Sequence, residues 1–79
     1  MNISIVYVNY KTARLILDSI KSVKEKTEDV DYEIIVVDNA SGDGSLELIQ
    51  KQYPEVICVQ ADENMGFGRA NNLGMTYAS

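Results

Sequence analysis

The chain reads as an α/β protein in β-α-β-α-β-α order on a parallel sheet, and three observations carry that reading. Ile34-Ile35-Val36-Val37 is apolar on successive residues, the habit of a strand covered on both faces. Two further β-branched runs, residues 3–8 and 56–59, are each followed by apolar residues at helical spacing. Strands and helices alternating at such intervals form right-handed crossovers in a parallel sheet.

Taken in order, Ile3-Ser4-Ile5-Val6-Tyr7-Val8 ends at Asn9-Tyr10. Thr12 then offers an N-cap to a helix whose Ala13, Ile16, Leu17, Ile20 and Val23 trace one face. Lys24 and Lys26 complement the helix dipole in the last turn, which places the helix end near Lys26, and Thr27 to Asp31 reads as a polar loop. The second strand, about Glu33 to Val37, passes through Gly42-Asp43-Gly44 into a helix with Leu46, Ile49 and Tyr53 on one face. Asp43 or Ser45 is placed to cap it, and Pro54 stops it. The third strand leads through Gln60-Ala61-Asp62-Glu63-Asn64 into a helical pattern of Phe67, Ala70, Leu73, Gly74 and Tyr77. In that last helix Gly68 and Gly74 each cost about 1 kcal/mol against alanine, and Asn71 and Asn72 are modest helix formers, so something other than helix stability selects them. Two readings stand: close approach of a ligand with hydrogen-bonding asparagines, or close helix–sheet packing with solvent-facing amides.

A chain of 79 residues, 46% hydrophobic, makes one small domain, and at this size a core supplies only about 3–5 kcal/mol without staples. The single cysteine, Cys58, lies inside an apolar run and reads as a small core residue, which suits a reducing compartment. No apolar stretch approaches the roughly 20 residues of a bilayer span, and the N-terminus lacks the regions of a signal peptide. The expected location is the cytoplasm, with its inner membrane face as one place of action. Seven basic against twelve acidic residues leave a net charge of −5 with no basic cluster, so neither nucleic acid nor an anionic membrane is an expected partner.

With no histidine and one cysteine, the chain alone cannot assemble a zinc site or a Ser-His-Asp or Cys-His nucleophile. Gly66-Phe67-Gly68-Arg69-Ala70-Asn71 falls one glycine short of a dinucleotide-binding fingerprint and follows the third strand rather than the first. Gly42-Asp43-Gly44-Ser45 is too short for a phosphate-binding loop and lacks its lysine, while Ala40 breaks the pattern of a calcium loop. What remains is a set of strand-end polar groups, Asn9-Tyr10, Asp38-Asn39 and Asp62-Glu63-Asn64, all expected at the carboxyl edge of the sheet where ligands bind. An aromatic ring beside a carboxylate suits a nucleobase, which stacks on the one and donates a ring N–H to the other. Singly, Tyr10 also reads as a half-buried loop aromatic and Asp38 as a turn acceptor; their convergence on one edge favours a site.

At these residues the chain resembles a known family. Val8-Asn9-Tyr10, residues 34–45 (Ile-Ile-Val-Val-Asp-Asn-Ala-Ser-Gly-Asp-Gly-Ser) and residues 63–75 (Glu-Asn-Met-Gly-Phe-Gly-Arg-Ala-Asn-Asn-Leu-Gly-Met) are similar to the start of family 2 glycosyltransferases, closest to the rhamnosyltransferase-like branch. The resemblance covers almost the whole chain and implies a three-layer, Rossmann-like GT-A fold whose first half binds the nucleotide of a sugar donor. It implies that Val8 and Tyr10 line the base pocket, that Asp38 accepts from the base, and that Asn64, Gly66 and Asn72 shape the loop and helix beside the nucleotide. Asn39 stands where many relatives carry a second aspartate, Lys11 replaces a common asparagine, and Arg69 faces either a phosphate or solvent.

Family members carry an Asp-x-Asp-type motif soon after the third helix, which holds a divalent metal (Mg or Mn) on the donor diphosphate, and a catalytic base farther on. The chain stops at Ser79, before both. The resemblance therefore implies that residues 1–79 are a single partial domain, the N-terminal part of an inverting transferase of polysaccharide biosynthesis using a UDP- or dTDP-sugar. The chain would be an engineered fragment, a proteolytic remnant or a truncated reading frame, with no catalytic residue, no metal ligand and no turnover of its own. A competing reading is a non-catalytic nucleotide-binding or self-assembling module, a homodimer formed through an exposed sheet edge. A receiver-type domain with Asp38 as its strand-end acid is disfavoured, because Asn9-Tyr10 occupies the place of the acidic pair that would hold magnesium.

Overall fold

In a computed structural model of the chain, the structure describes residues 2–27 and 31–78. Six elements alternate: β1 (Asn2–Asn9), α1 (Ala13–Lys26), β2 (Asp31–Asp38), α2 (Ser45–Gln52), β3 (Ile57–Gln60) and α3 (Phe67–Met75). The strands form one parallel sheet in the order β1-β2-β3. With β2 in the centre, Ile34 through Val37 are all buried, as a run apolar on successive residues requires.

Helices α1 and α2 cover one face, where Ile16, Ile20 and Ile49 pack with Ile34, Val36 and Val56. The other face carries α3, with Ala70 against Ile35, Val37 and Val59. This helix–sheet–helix layering is the Rossmann-like arrangement expected from the sequence. Cys58 packs against the α1/α2 core, and burial pushes its thiol pKa up, so it behaves as a small protonated core residue.

β3 runs Ile57–Gln60, one residue later than the expected Val56 to Val59, and two further differences bear on the packing. β2 begins at Asp31, which pairs with Asn2, rather than near Glu33, so the expected polar loop of residues 27–31 yields its last residue to the sheet. Residues 28–30 of that loop lie outside the described residues. In α3, Phe67 is 72% exposed and Tyr77 lies beyond the helix end, although both were expected on its inward face. The reason is how closely the helix meets the sheet. A Cβ on Gly74 would stand 2.6 Å from Val6 Cγ1 and 2.9 Å from Val37 Cγ2, so the contact admits small residues and excludes rings. Of the two readings of the α3 glycines, close helix–sheet packing holds at Gly74. Among the described residues no helix is long and apolar enough to cross a membrane.

Candidate functional site

The three apolar runs break at the same level. Asn9 pairs with Asp38, and Asp38 with Gln60, as the last register positions of the two strand pairs. Paired residues in neighbouring strands point to the same side of a sheet. These three polar side chains therefore form a row at the carboxyl ends of the strands, on the side where Ile34 and Val36 meet α1 and α2.

The row is bonded internally. Asn9 is fully buried and Asp38 is 3% exposed. Asp38 Oδ1 accepts from Asn9 Nδ2 at 2.8 Å, while Oδ2 accepts from Gln60 Nε2 at 3.1 Å and from the Ser41 amide at 3.3 Å. Among the described residues no cation pairs with the carboxylate; three N–H donors replace the water that burial removes. Ser41 Oγ accepts from Asn9 Nδ2 at 3.3 Å and from the Lys11 amide at 2.9 Å. Lys11 and Ala40, which flank this knot, have φ of 59° and 62°, a region that costs a non-glycine residue of order 1 kcal/mol or more. The hydrogen bonds to Ser41 and Asp38 hold both turns there.

Asn9 also starts α1. Its Oδ1 accepts from the Thr12 amide at 3.1 Å and from Thr12 Oγ1 at 3.0 Å, whereas the Thr12 side chain makes no cap bond of its own. Thr12 occupies the expected N-cap position, but the capping oxygen comes from the end of β1. At α2 the N-cap position is Gly44 with φ of 76°, and Asp43 Oδ1 accepts from the Ser45 amide at 3.0 Å and from the Ser45 hydroxyl. The Ser45 hydroxyl bond holds the Asp43 carboxyl below its ordinary pKa.

A second group joins β2 to the segment before α3. Asn39, 3% exposed, donates from Nδ2 to Asn64 Oδ1 at 3.1 Å and accepts at Oδ1 from the Met65 amide at 2.9 Å. Asn64 Oδ1 also accepts from the Gly66 amide at 3.0 Å. An amide can donate at one end and accept at the other, whereas a carboxylate only accepts, which gives the asparagine at position 39 a physical reason. Gly66, at φ 79° and ψ 162°, occupies a conformation open essentially to glycine alone, and no atom lies within 4 Å of where its Cβ would stand. Conformation selects glycine at 66, and space selects it at 74.

The structure thus brings Asp38, Asn39, Asn64 and Gly66 together at one edge. Tyr10, 45% exposed with the Lys11 ammonium 5.4 Å from its ring centroid, stands beside the first group. Val8 is half-buried in the core under α3, and Asn72 and Arg69 are exposed on α3. Two depressions open at this edge. One of about 330 Å³ lies between Asp38 and Gln60 on one side and Gly42, Gly44 and Ser45 on the other. The second, of about 530 Å³, runs from Gln60 past Asp62 and Met65 to Leu73 and Tyr77. Both volumes fall in the range of small-molecule sites, roughly 300–1,000 Å³.

Residues 4–79 match the sequence model of the family described as Glycosyl transferase family 2. The chain belongs to glycosyl transferase family 2. It is 38% identical over 82 aligned positions to an uncharacterized glycosyltransferase of Nostoc sp. (strain PCC 7120), the alignment covering all of this chain and 25% of that protein. Its fold matches the mannosyltransferase PcManGT from Pyrobaculum calidifontis, solved in complex with GDP-Man and Mn2+, with a TM-score of 0.81 and 25% identity over 98% of this chain and 24% of that one. The family 2 chain therefore has a GT-A fold and spans about a quarter of the length of these relatives.

Among the described residues, no three of His, Cys, Asp and Glu gather as metal ligands. These residues do not fit a site for the Mn2+ of the mannosyltransferase complex. Reading the sequence of this family 2 chain missed Ser41 and Gln60 and gave Asn9 no role of its own. One signal was available: Val8-Asn9, Val37-Asp38 and Val59-Gln60 are the points where each apolar run first turns polar, and equal positions on parallel strands are neighbours.

Proposed function

We propose that this chain forms the nucleoside-binding part of an inverting glycosyltransferase that takes a nucleotide-diphosphate sugar and glycosylates an acceptor hydroxyl. In this reading Asp38 accepts a ring N–H of the base, Tyr10 stacks on it, and Val8 supports the pocket floor. Asn39, Asn64 and Gly66 fix the loop beside the nucleotide, and Asn72 lies along it on α3. Deprotonation of the acceptor and neutralisation of the leaving diphosphate fall to residues of a longer enzyme. On this reading the 79 residues alone are expected to give no turnover with donor and acceptor.

The observation that carries the reading is the Asp38 carboxylate, held by three donors on the wall of a ligand-sized depression. Asn9 and Ser41 are buried and fixed, so of the acceptor positions on Asp38 the one held by the exposed Gln60 is the one a ligand donor can reach. Uracil and thymine present a single N3–H between two carbonyls, whereas guanine presents two adjacent donors, N1–H and N2–H. One reachable position suits the single donor and supports UDP- or dTDP-sugars, the latter in keeping with the rhamnosyltransferase-like motifs. Calorimetric titration with UDP, dTDP and GDP tests this. UDP and dTDP should bind at least about tenfold tighter than GDP, the worth of one well-placed hydrogen bond to a charged group, and Asp38→Ala should abolish the difference. Equal affinity for all three, unchanged in Asp38→Ala, would refute the assignment.

A further inference from the structure

We propose that Gln60 is a displaceable stand-in for the nucleobase: its carboxamide occupies the Asp38 position that a base N–H takes, and leaves when the nucleotide binds. The inference rests on the reading of Asp38 as the base acceptor and adds a residue that sets affinity at that site.

Of the three donors on Asp38, two cannot leave cheaply. Asn9 is fully buried, bonded at its other end to Thr12, and Ser41 lies between the Lys11 amide and Asn9. Gln60 is different, since it is exposed at the last position of the short strand β3. Its Nε2 lies 3.1 Å from Asp38 Oδ2, 3.0 Å from the Ala61 carbonyl and 3.4 Å from the Asp38 carbonyl. A single flexible side chain thus covers a carboxylate that is only 3% exposed, and rotating it away breaks none of the other bonds of the knot.

The chemistry of the cover matches that of the ligand. A carboxamide presents an N–H next to a C=O, the same pair that uracil and thymine present at N3–H and O4. Exchange replaces one N–H···carboxylate bond by another, so the carboxylate is never left bare, an outcome that would cost far more than the bond itself. Gln60 also forms part of the wall of both depressions, the one of about 330 Å³ and the one of about 530 Å³. Gln60 is the residue the two depressions share, and the first of them reaches Asp38.

Because Gln60 competes with the ligand, removing it should tighten binding. Gln60→Leu and Gln60→Ala are expected to bind UDP about three- to tenfold more tightly than the unaltered chain, the worth of one net hydrogen bond. The unaltered chain supplies a readout independent of any variant. The Gln60 side-chain NH2 signals in a 15N NMR spectrum should be displaced and protected from exchange in the free chain, and should move to those of a free glutamine amide at UDP saturation. Weaker binding in both variants would mean that Gln60 reads the ligand directly, and would overturn the proposal. So would unmoved Gln60 NH2 signals while the Asn39 and Ser41 amides shift, an outcome that leaves the base assignment standing. If UDP shifts no amide near Asp38 in any variant, the base assignment fails and the proposal falls with it.

Discussion

The two ends of the carboxyl edge are built on different principles. At β1–β2 the polar groups are buried and interlocked, with Asn9, Asp38 and Ser41 all under a tenth exposed and each bonded to more than one partner. At β3–α3 the side chains of Asn64, Gln60, Phe67 and Asn72 are exposed, and the buried side chain of Asn39 ties the segment before α3 to the end of β2. The first end can present an acceptor in a fixed position before any ligand arrives. The second can rearrange around a ligand at little cost, because its bonds are few and solvent can replace them. A preformed acceptor beside an adaptable wall suits a site that binds a ligand and releases it.

Substitutions should separate the two ends by size of effect. Asn9→Ala is the most damaging: it leaves Asp38 Oδ1 without its donor, removes the oxygen that caps Thr12 and opens a cavity. We expect a loss of about 3 kcal/mol in urea unfolding, a large share of the stability of a domain this small. Asn39→Asp changes only a donor to an acceptor, facing Asn64 Oδ1 at the second end, and should cost about 1–2 kcal/mol while raising amide hydrogen exchange at residues 64–66 first. A loss from Asn39→Asp equal to that from Asn9→Ala would erase the distinction between the ends.

The smallest effect lies away from both. Lys24 Nζ and Glu55 Oε2 are 2.6 Å apart in a half-exposed surface pair. Their hydrogen bond raises the Lys24 pKa above 10.5 and lowers that of Glu55 below 4.5. Glu55, being depressed in the folded state, contributes stability present above 4.5 and lost as pH falls through its folded value. Lys24, being raised, contributes stability present below 10.5 and lost as pH rises through its folded value. Glu55→Gln should therefore cost only about 0.2–1 kcal/mol at neutral pH, and the difference from the unaltered chain should vanish in acid. A difference that persists in acid would show that charge is not its source.

How much of this was legible in the sequence follows from which interactions are local. Three strands, their order of appearance and the central place of Ile34–Val37 rest on contiguous residues and on spacing along one chain, and these hold in the structure. Phe67 and Tyr77 were misplaced because helical spacing says nothing of how near α3 comes to the sheet; that distance is set by Gly74 against Val6 and Val37. The Asn9–Asp38–Gln60 row depends on register between strands 22 and 29 residues apart, and pattern within a single element does not report register. Thr12 illustrates the same limit at short range. The residue type at the N-cap position was right, yet its bond is made by Asn9, three residues back at the end of the preceding strand.

The central claim, a base pocket at the carboxyl edge of β1 and β2, is tested most directly by an amide-resolved NMR titration of the chain with UDP, with and without magnesium. Shifts are expected at Tyr10, Asn39, Ser41 and residues 64–66, of the same size in both conditions, since the described residues hold no cluster for a metal. Shifts confined to the opposite edge of the sheet, or shifts at these residues that depend on magnesium, would contradict it.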